Sequence, residues 1–187
     1  GFVSLLPMSD GSMSAVWLDG RQMAGSDGGD MSLRHAFIGA DGSAGPETLL
    51  DDRVCECCQT SAAAIPGGLL AVYRNRTEGE VRDISLVRYH DGVWSEPRDL
   101  SEDGWQINGC PVNGPSISAS GSRVAVAWFT AAGDEPAVWL KLSDDAGETF
   151  GSPIRIDDGG PLGRIEVVRL EAITYVIWLE QIEGGAE

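Results

Sequence analysis

The sequence predicts an all-β fold built from one repeated antiparallel unit. Short apolar, β-branched and aromatic runs alternate with turns rich in Gly, Asp and Pro along the 187 residues. No segment shows the 3.6-residue period of an amphipathic helix. A strand carrying an aromatic residue recurs every ~50–56 residues. The recurring aromatic residues are Trp17, Tyr73, Trp128 and Trp178.

Each aromatic strand is the second strand of a predicted unit. The units cover 2–51, 60–101 and 115–157, and the first two strands of a fourth unit cover 164–182. Four antiparallel strands per ~50 residues are typical of a β-propeller blade, and propellers close with about four to eight blades. We therefore expect a single partial domain over 1–187 that holds about three and a half blades of a six-bladed propeller, or self-association through its open edges.

The predicted strands alternate with the turn signals in chain order. Those of the first unit cover 2–8, 14–19, 31–38 and 46–50. Those of the second unit cover 60–65, 70–75, 83–89 and 97–100. Those of the third unit cover 115–119, 125–130, 137–142 and 153–156, and the last two cover 164–170 and 175–180.

Charge and hydropathy exclude several classes of partner. The formal net charge of −16 argues against nucleic acid and anionic membrane surfaces. No apolar run approaches the ~20 residues that a membrane span requires. Residues 1–7 lack the basic segment and long apolar core of a signal peptide, so we expect a mature or excised segment.

The turn after the third strand of the third unit carries a specific motif. Residues 143–150 read S-D-D-A-G-E-T-F, which fits the pattern S-x-D-x-G-x-T-F and resembles the Asp-box (BNR repeat) propellers of the sialidase superfamily. Weaker echoes stand in register at Asp91-Gly92-Val93-Trp94 and Asp41-Gly42. A short carboxylate accepts backbone N–H groups in such a turn, and glycine supplies the unusual φ. The residues expected to be structural here are Ser143, Asp145, Gly147, Thr149 and Phe150.

The resemblance implies which end of the strands carries function. In sialidase-like propellers the Asp boxes lie on the face opposite the active site. The opposite face of this chain would then be formed by the loops 20–30, 76–82 and 131–136 and by the connectors 51–59, 102–114 and 157–163.

Sialidase-like enzymes bind a carboxylate with three arginines and use an Asp as acid/base beside a Tyr–Glu nucleophile. The segment Trp17-Leu18-Asp19-Gly20-Arg21, followed by an acidic loop, resembles the first-blade strand of the family, which makes Arg21 and Asp27 the candidate catalytic residues. The Phe-Arg-Ile-Pro motif and a Tyr–Glu pair have no counterpart. Whether the protein is an enzyme stays open, and if it is one, the resemblance implies a glycoside hydrolase.

Polar residues at the ends of the aromatic strands and in the loops are candidates for ligand binding. They share strand parity with the aromatic residues or lie in the loops of the same face. The candidates are Asp19, Arg21, Arg74, Asn75, Arg76, Arg82 and Asn113. The loop 74–83 alternates arginines with acidic residues, so an internal ion-pair network is favoured there over an anion clamp.

Three of the four cysteines, Cys55, Cys57 and Cys58, lie in one connector, and Cys110 lies in the next. The resemblance places both connectors on one face, so the four thiols can converge. Two disulfides, for example Cys55–Cys58 with Cys57–Cys110, would staple the loops. A thiolate cluster could instead hold a soft metal such as Cu(I) or Zn²⁺, or the thiols could be free. The resemblance to mostly exported proteins favours disulfides.

Three functions follow from these patterns. The favoured one is a secreted or periplasmic sialidase-like propeller that binds a glycan or other small ligand at its funnel face, with no cofactor expected. The alternatives are a fragment of a sialidase-type glycoside hydrolase and a metal-binding propeller that uses the cysteine cluster.

Overall fold

The computed structural model describes residues 2–24, 28–182 and 185–186. Within these ranges the chain forms antiparallel strands and one short 3₁₀ turn at Ala132–Asp134, with no α-helix. The all-β prediction is therefore confirmed. The part of the chain that the structure describes contains no helix with the length and apolar character of a membrane span.

Four sheets follow one another along the chain. The first sheet contains β1 (Val3–Pro7), β2 (Met13–Asp19), β3 (Ser32–Ile38) and β4 (Thr48–Asp51). The second contains β5 (Ser61–Ile65), β6 (Gly68–Arg74), β7 (Ile84–His90), β8 (Val93–Trp94) and β9 (Arg98–Asp99). The third contains β10 (Ser116–Ser120), β11 (Arg123–Thr130), β12 (Ala137–Ser143) and β13 (Ile154–Arg155). The fourth contains β14 (Pro161–Leu170), β15 (Ile173–Ile182) and β16 (Gly185–Ala186).

The first strands of successive sheets lie against one another, β1 on β5, β5 on β10 and β10 on β14. Serine and threonine hydroxyls bridge these inner strands. Ser4 Oγ lies 2.8 Å from Thr60 Oγ1, and Ser61 Oγ accepts the N–H of Ile117 at 3.2 Å. Ser116 Oγ accepts the N–H of Val167 at 3.0 Å. The sheets therefore fan out from a shared inner edge in a propeller-like arrangement.

Apolar clusters fill the spaces between neighbouring sheets, and β6 shows why the order of the sheets matters. Its residues Leu69, Leu70, Ala71 and Val72 are all 0% exposed. Because side chains alternate along a strand, Leu70 and Val72 pack toward the third sheet while Ala71 packs toward the first. A strand that is buried on both faces has a continuous run of apolar residues in its sequence, and β6 has such a run.

The outer sheets have only one covered face. On β15, Ile173, Tyr175, Ile177 and Leu179 alternate with more buried residues and are exposed. Val3 and Leu5 on β1 are exposed in the same way. Self-association through these surfaces remains a prediction.

The turn at 143–150 is held by the carboxylate of Asp145. Its Oδ1 accepts bonds from Ser143 Oγ at 2.7 Å and Thr149 N at 2.9 Å, and its Oδ2 accepts one from Thr149 Oγ1 at 2.6 Å. These bonds, led by that from Thr149, lower the pKa of Asp145 to about 2. Gly147 adopts a φ of +78°, and Phe150 packs against the core between the second and third sheets.

Candidate functional site

Loops and connectors gather at the end of the sheets where β2, β6 and β11 terminate. The connector after β4 joins the second sheet through a bridge between Val54 and Asn75. The connector before β10 joins the loop after β6 through a bridge between Val81 and Gln106. Gln59 links the two connectors, because Gly114 N–H donates to its side-chain oxygen at 2.9 Å. The end of the molecule opposite the 143–150 turn is thus one connected surface.

All four cysteines meet on this surface. Cys57 and Cys110 form one of the two disulfides expected from the sequence, whereas the second expected pair, Cys55 and Cys58, is not bonded. Cys55 and Cys58 are thiols that are 1% and 2% exposed, with their sulfur atoms 2.9 Å apart. The sulfur of Cys55 lies 3.8 Å from that of Cys57. The disulfide therefore has one exposed residue, Cys110, and one residue, Cys57, that lies beside the buried pair of thiols.

The two buried thiols differ in acidity. The hydrogen bond from Cys58 and the guanidinium of Arg82, whose Nη1 lies 3.3 Å from Cys55 Sγ, lower the pKa of the Cys55 thiol to about 6. Sharing its proton with Cys55, and burial, raise the pKa of Cys58. The proton shared by the pair is therefore held more tightly by Cys58 than by Cys55. The sulfur atoms of Cys55, Cys57 and Cys58 lie within 4.8 Å of one another, a spacing that could suit a metal ion. Cys57, however, is already bonded to Cys110.

Arg74 is 1% exposed and lies at the centre of the loops. Its guanidinium donates to the carbonyl oxygens of Asn113 and Phe129, both at 2.7 Å, and to that of Arg82. It also stacks 4.8 Å from the ring centroid of Trp105. Among the described residues, no carboxylate lies within ion-pairing distance of Arg74, and burial lowers its pKa. Each of its three guanidinium nitrogens therefore donates one hydrogen bond to a backbone carbonyl.

The other arginines of the 74–83 loop form an ion-pair network. Glu80 accepts from both Arg76 and Arg82 at 2.8 Å. Glu56 accepts from Arg82 at 3.0 Å and also pairs with Arg76. The two arginines lower the pKa of Glu80 to about 2, the bond from Arg76 contributing most. The network connects the cysteine connector to the loop after β6.

Asp19 and Arg21 form a local pair at the end of β2. Arg21 donates to the carboxylate of Asp19 from Nε at 2.8 Å and from Nη2 at 2.6 Å, which holds the pKa of Asp19 well below its usual range. Arg21 also pairs with Glu47 at 2.9 Å. Asp27, the other candidate catalytic residue, lies outside the described residues.

The two candidate asparagines bond to backbone groups of the loops. Asn75 Oδ1 accepts the N–H of Arg76 at 2.7 Å. Asn113 Oδ1 accepts the N–H of Arg164 at 3.0 Å, and its amide nitrogen donates to Leu162 at 3.3 Å. Asn113 therefore ties its connector to the start of the fourth sheet.

A cleft formed by the third sheet and the connector that precedes it opens on the same end of the molecule, and the sequence patterns did not reveal it. Its volume is about 240 Å³. The polar and aromatic side chains that line it are Asp103, Thr130, Glu135, Trp139 and Arg155. Trp139 pairs with Trp128 on one side and with Arg155 on the other, so all three side chains share one face. The symmetric spacing of Trp128 and Trp139 about the 131–136 turn is the signal that predicts this pairing.

Two charged groups of the cleft are held in place. Asp103 accepts a hydrogen bond from Trp128 Nε1 at 2.7 Å, and burial raises its pKa. Arg155 donates to the carboxylate of Asp157 at 2.8 Å while its side chain stays 46% exposed. A half-buried acid and an exposed, fixed guanidinium therefore flank the indole of Trp139.

A second aromatic cavity lies between the first and second sheets at the opposite end of the strands. Its volume is about 440 Å³, and His35, Phe37, Tyr89 and Trp94 line it. The ring of His35 lies 4.5 Å from Phe37 and 4.8 Å from Trp94, measured between centroids. Trp94 Nε1 donates to His35 Nδ1 at 3.3 Å, and Ser14 Oγ lies 3.0 Å from Nε2. Burial lowers the pKa of His35 to about 4, so the ring is neutral at physiological pH.

No protein-family model matches the chain, and no curated protein matches it by sequence. Solved structures do resemble it. A fucose-specific lectin from Aleuria aurantia aligns over 99% of this chain and 59% of its own length, with a TM-score of 0.58 and 15% identity. A GH32 β-fructofuranosidase from Bombyx mori aligns over 97% and 40%, with a TM-score of 0.52 and 18% identity.

A Hadza microbial sialidase aligns over 89% of this chain and 39% of its own length, with a TM-score of 0.53 and 13% identity. The chain therefore spans less than two thirds of the length of each of these proteins. At these identities the likeness is one of fold, to a group of glycan-binding proteins and glycoside hydrolases. The propeller-like fold implied by the sequence resemblance is supported at that level, and the Asp-box family assignment stays a prediction.

Proposed function

We propose that this chain forms the ligand-binding part of an exported propeller protein that binds a neutral glycan without cleaving it. The observation that carries the proposal is the composition of the cleft formed by the third sheet and the connector that precedes it. Trp139 supplies an apolar aromatic surface, and Arg155, Glu135 and Thr130 supply donors and acceptors around it. Sugars present an apolar C–H face and pairs of hydroxyls, which such a combination complements.

The charges favour a neutral sugar over a sialic acid. Recognition of a sugar carboxylate requires arginines that are free to form bidentate bonds. Arg21 is paired with Asp19 and Glu47, and Arg76 and Arg82 are paired with Glu56 and Glu80. A carboxylated ligand would have to break such pairs and leave their acids without a cation.

The size of the binding region suits more than one sugar ring. Asp103 also lines a neighbouring cavity of about 290 Å³, together with Glu102 and Lys141. A ligand that extends past Asp103 would contact both acidic and basic side chains. Such side chains can accept and donate hydrogen bonds to the hydroxyl groups of an oligosaccharide.

A glycoside hydrolase is the second candidate, and Asp103 is the observation that favours it. Glycosidases use two carboxyl groups, one of which is kept protonated by a raised pKa. Burial raises the pKa of Asp103, and Glu135 lines the same cleft. Asp103 would then be the general acid.

Export is part of the proposal. Disulfides persist in oxidising compartments and are rare in the cytosol. The Cys57–Cys110 disulfide and the carbohydrate-related structural neighbours both fit an extracellular protein.

The experiment measures binding of labelled neutral and sialylated oligosaccharides to the purified chain. We expect binding of neutral glycans, weakened at least tenfold by Trp139→Ala, which corresponds to about 1.4 kcal/mol. Trp94→Ala, in the other aromatic cavity, is the matched control and should leave binding unchanged. Loss of binding with Trp94→Ala alone, or no binding of any neutral glycan, would overturn the proposal. Release of reducing sugar that Asp103→Asn abolishes would instead identify a hydrolase.

A further inference from the structure

We propose that the four cysteines form a thiol–disulfide exchange centre, in which the buried pair Cys55 and Cys58 reduces an external disulfide through the surface pair Cys57 and Cys110. The proposal goes beyond glycan binding and uses no residue of the cleft. It rests on an arrangement of four sulfur atoms in which a buried dithiol stands directly behind an exposed disulfide.

The first step is an attack within the protein. The thiolate of Cys55, 3.8 Å from Cys57 Sγ, forms a bond to that sulfur, and the Cys57–Cys110 bond breaks with Cys110 leaving as a thiolate. Cys58, 2.9 Å from Cys55, attacks Cys55 Sγ as its proton passes to the departing sulfur of Cys57, which is released as a thiol. The product has a Cys55–Cys58 disulfide and a Cys57/Cys110 dithiol, and no electron has left the protein.

The second step delivers the two electrons outward. Cys110 is exposed, so its thiolate reaches an external disulfide R–S–S–R and forms a mixed disulfide while one R–S⁻ departs. Cys57 then attacks Cys110 Sγ, restores the Cys57–Cys110 bond and releases the second R–S⁻. The net change oxidises Cys55 and Cys58 to a disulfide and reduces one R–S–S–R to two thiols.

The surroundings of Cys55 favour the thiolate that this chemistry requires. Arg82, whose side chain is 4% exposed, places Nη1 3.3 Å from Cys55 Sγ. Arg74 is buried behind the pair and has no carboxylate partner among the described residues, so its charge favours an anionic sulfur nearby. The nearby acidic groups, Glu56 of the cysteine connector and Glu80 of the loop, form ion pairs with Arg76 and Arg82. A thiolate held by cations is the reactive form of cysteine.

The same surroundings disfavour a metal. The disulfide removes Cys57 and Cys110 as ligands and leaves two thiols, whereas structural zinc sites use four ligands. The guanidiniums of Arg82 and Arg74 lie beside the two thiols, and they cannot ligate a metal ion and repel a cation. Exchange chemistry therefore fits the cluster better than metal binding does.

Tryptic peptide mapping can test the proposal, because cleavage after Arg53, Arg74, Arg98 and Arg123 puts Cys55, Cys57 and Cys58 on one peptide and Cys110 on another. Anaerobic protein is held at neutral pH, sampled over time, quenched with acid and alkylated. A Cys57–Cys110 bond joins the two peptides, whereas a Cys55–Cys58 bond leaves the Cys110 peptide separate and singly alkylated. We expect both forms, reaching a constant ratio from either starting form.

Two single substitutions distinguish the roles of the buried thiols. Cys55→Ser removes the attacking group, so the peptides should stay joined. Cys58→Ser removes only the resolving group, so a Cys55–Cys57 bond should accumulate within one peptide. Incubation with bis(2-hydroxyethyl) disulfide should release two thiols per chain from the wild type and convert it to the doubly bonded form.

Three results would overturn the proposal. The first is a wild type that keeps only the Cys57–Cys110 bond over hours at neutral pH. The second is exchange in Cys55→Ser at the wild-type rate. The third is a stoichiometric metal ion, found by elemental analysis, that blocks alkylation of Cys55 and Cys58. Circular dichroism of both variants checks that the β-structure is retained, and the wild-type experiment stands without them.

Discussion

The indole N–H of Trp128 donates a hydrogen bond to the carboxylate of Asp103 at 2.7 Å, across the boundary between the third sheet and the connector that precedes it. This bond fixes one wall of the proposed glycan cleft. It also satisfies a half-buried carboxyl group that burial alone would make costly.

Replacing Trp128 with Phe should therefore destabilise the protein by about 2 kcal/mol, because a hydrogen bond to a charged group is lost. It should also raise the pKa of Asp103 further. Urea unfolding measures the free-energy change. Trp139→Phe is the matched control, since the indole of Trp139 has no hydrogen-bond partner among the described residues, and it should cost less than about 1 kcal/mol. Equal losses in the two variants would contradict the assignment.

Arg74→Met should destabilise the protein by about 3 kcal/mol or more, because three buried carbonyl oxygens lose their donors. The expected measurement is a lower denaturant midpoint at an unchanged slope. Arg123→Met, on an exposed position of β11, should change stability by less than about 0.5 kcal/mol. A stable Arg74→Met protein would mean that water or another side chain satisfies those oxygens.

The buried ring of His35 predicts acid sensitivity. Its pKa falls from the ordinary 6.5 to about 4 in the folded protein, so the unfolded chain binds the proton more readily. Stability should therefore be complete above about pH 6.5 and fall as the pH drops toward 4, by up to about 3 kcal/mol. Unfolding free energies of the wild type and of His35→Gln across this range should converge at low pH. Parallel curves would exclude His35 as the cause.

Loss of the Cys57–Cys110 disulfide should lower the free energy of unfolding by about 2–4 kcal/mol, since it closes a loop between cysteines 53 positions apart. Cys110→Ser measures this by urea unfolding. Adding reductant should destabilise the wild type to the same level and leave Cys110→Ser unchanged. A reductant effect that persists in the variant would place a second stabilising disulfide in the protein.

The fold was accessible from the sequence because the aromatic strand repeats at a fixed interval and turn signals separate the strands. The observed strand boundaries differ from the predicted ones where the alternation of apolar and polar residues is weak. The predicted outer strand at 97–100 is the two-residue β9, and Val93–Trp94, seen in the sequence as part of a turn motif, forms the additional strand β8. Short outer strands carry too few alternating residues to define their own limits.

The site was only partly accessible. Acidic and basic residues alternate in the 74–83 loop, which predicted the network of Arg76, Arg82 and Glu80. The burial of Arg74 was not visible, because its partners are backbone oxygens that carry no sequence signature. The cleft at Trp139 and Arg155 depends on how the connector at Asp103 packs against the third sheet, which strand pairing alone does not specify.

Arg74 contacts carbonyl oxygens at Asn113 and Phe129, which lie 39 and 55 positions further along the chain. We expect contacts between such distant positions to form late in folding, because the entropic cost of closing a loop grows with the length of the intervening chain. Cys55 and Cys58 are therefore not fully buried until β11 has packed against the second sheet. During that interval we expect Cys55 and Cys58 to be accessible to the wrong cysteine partners. The order in which the sheets assemble would then influence which disulfide bonds form.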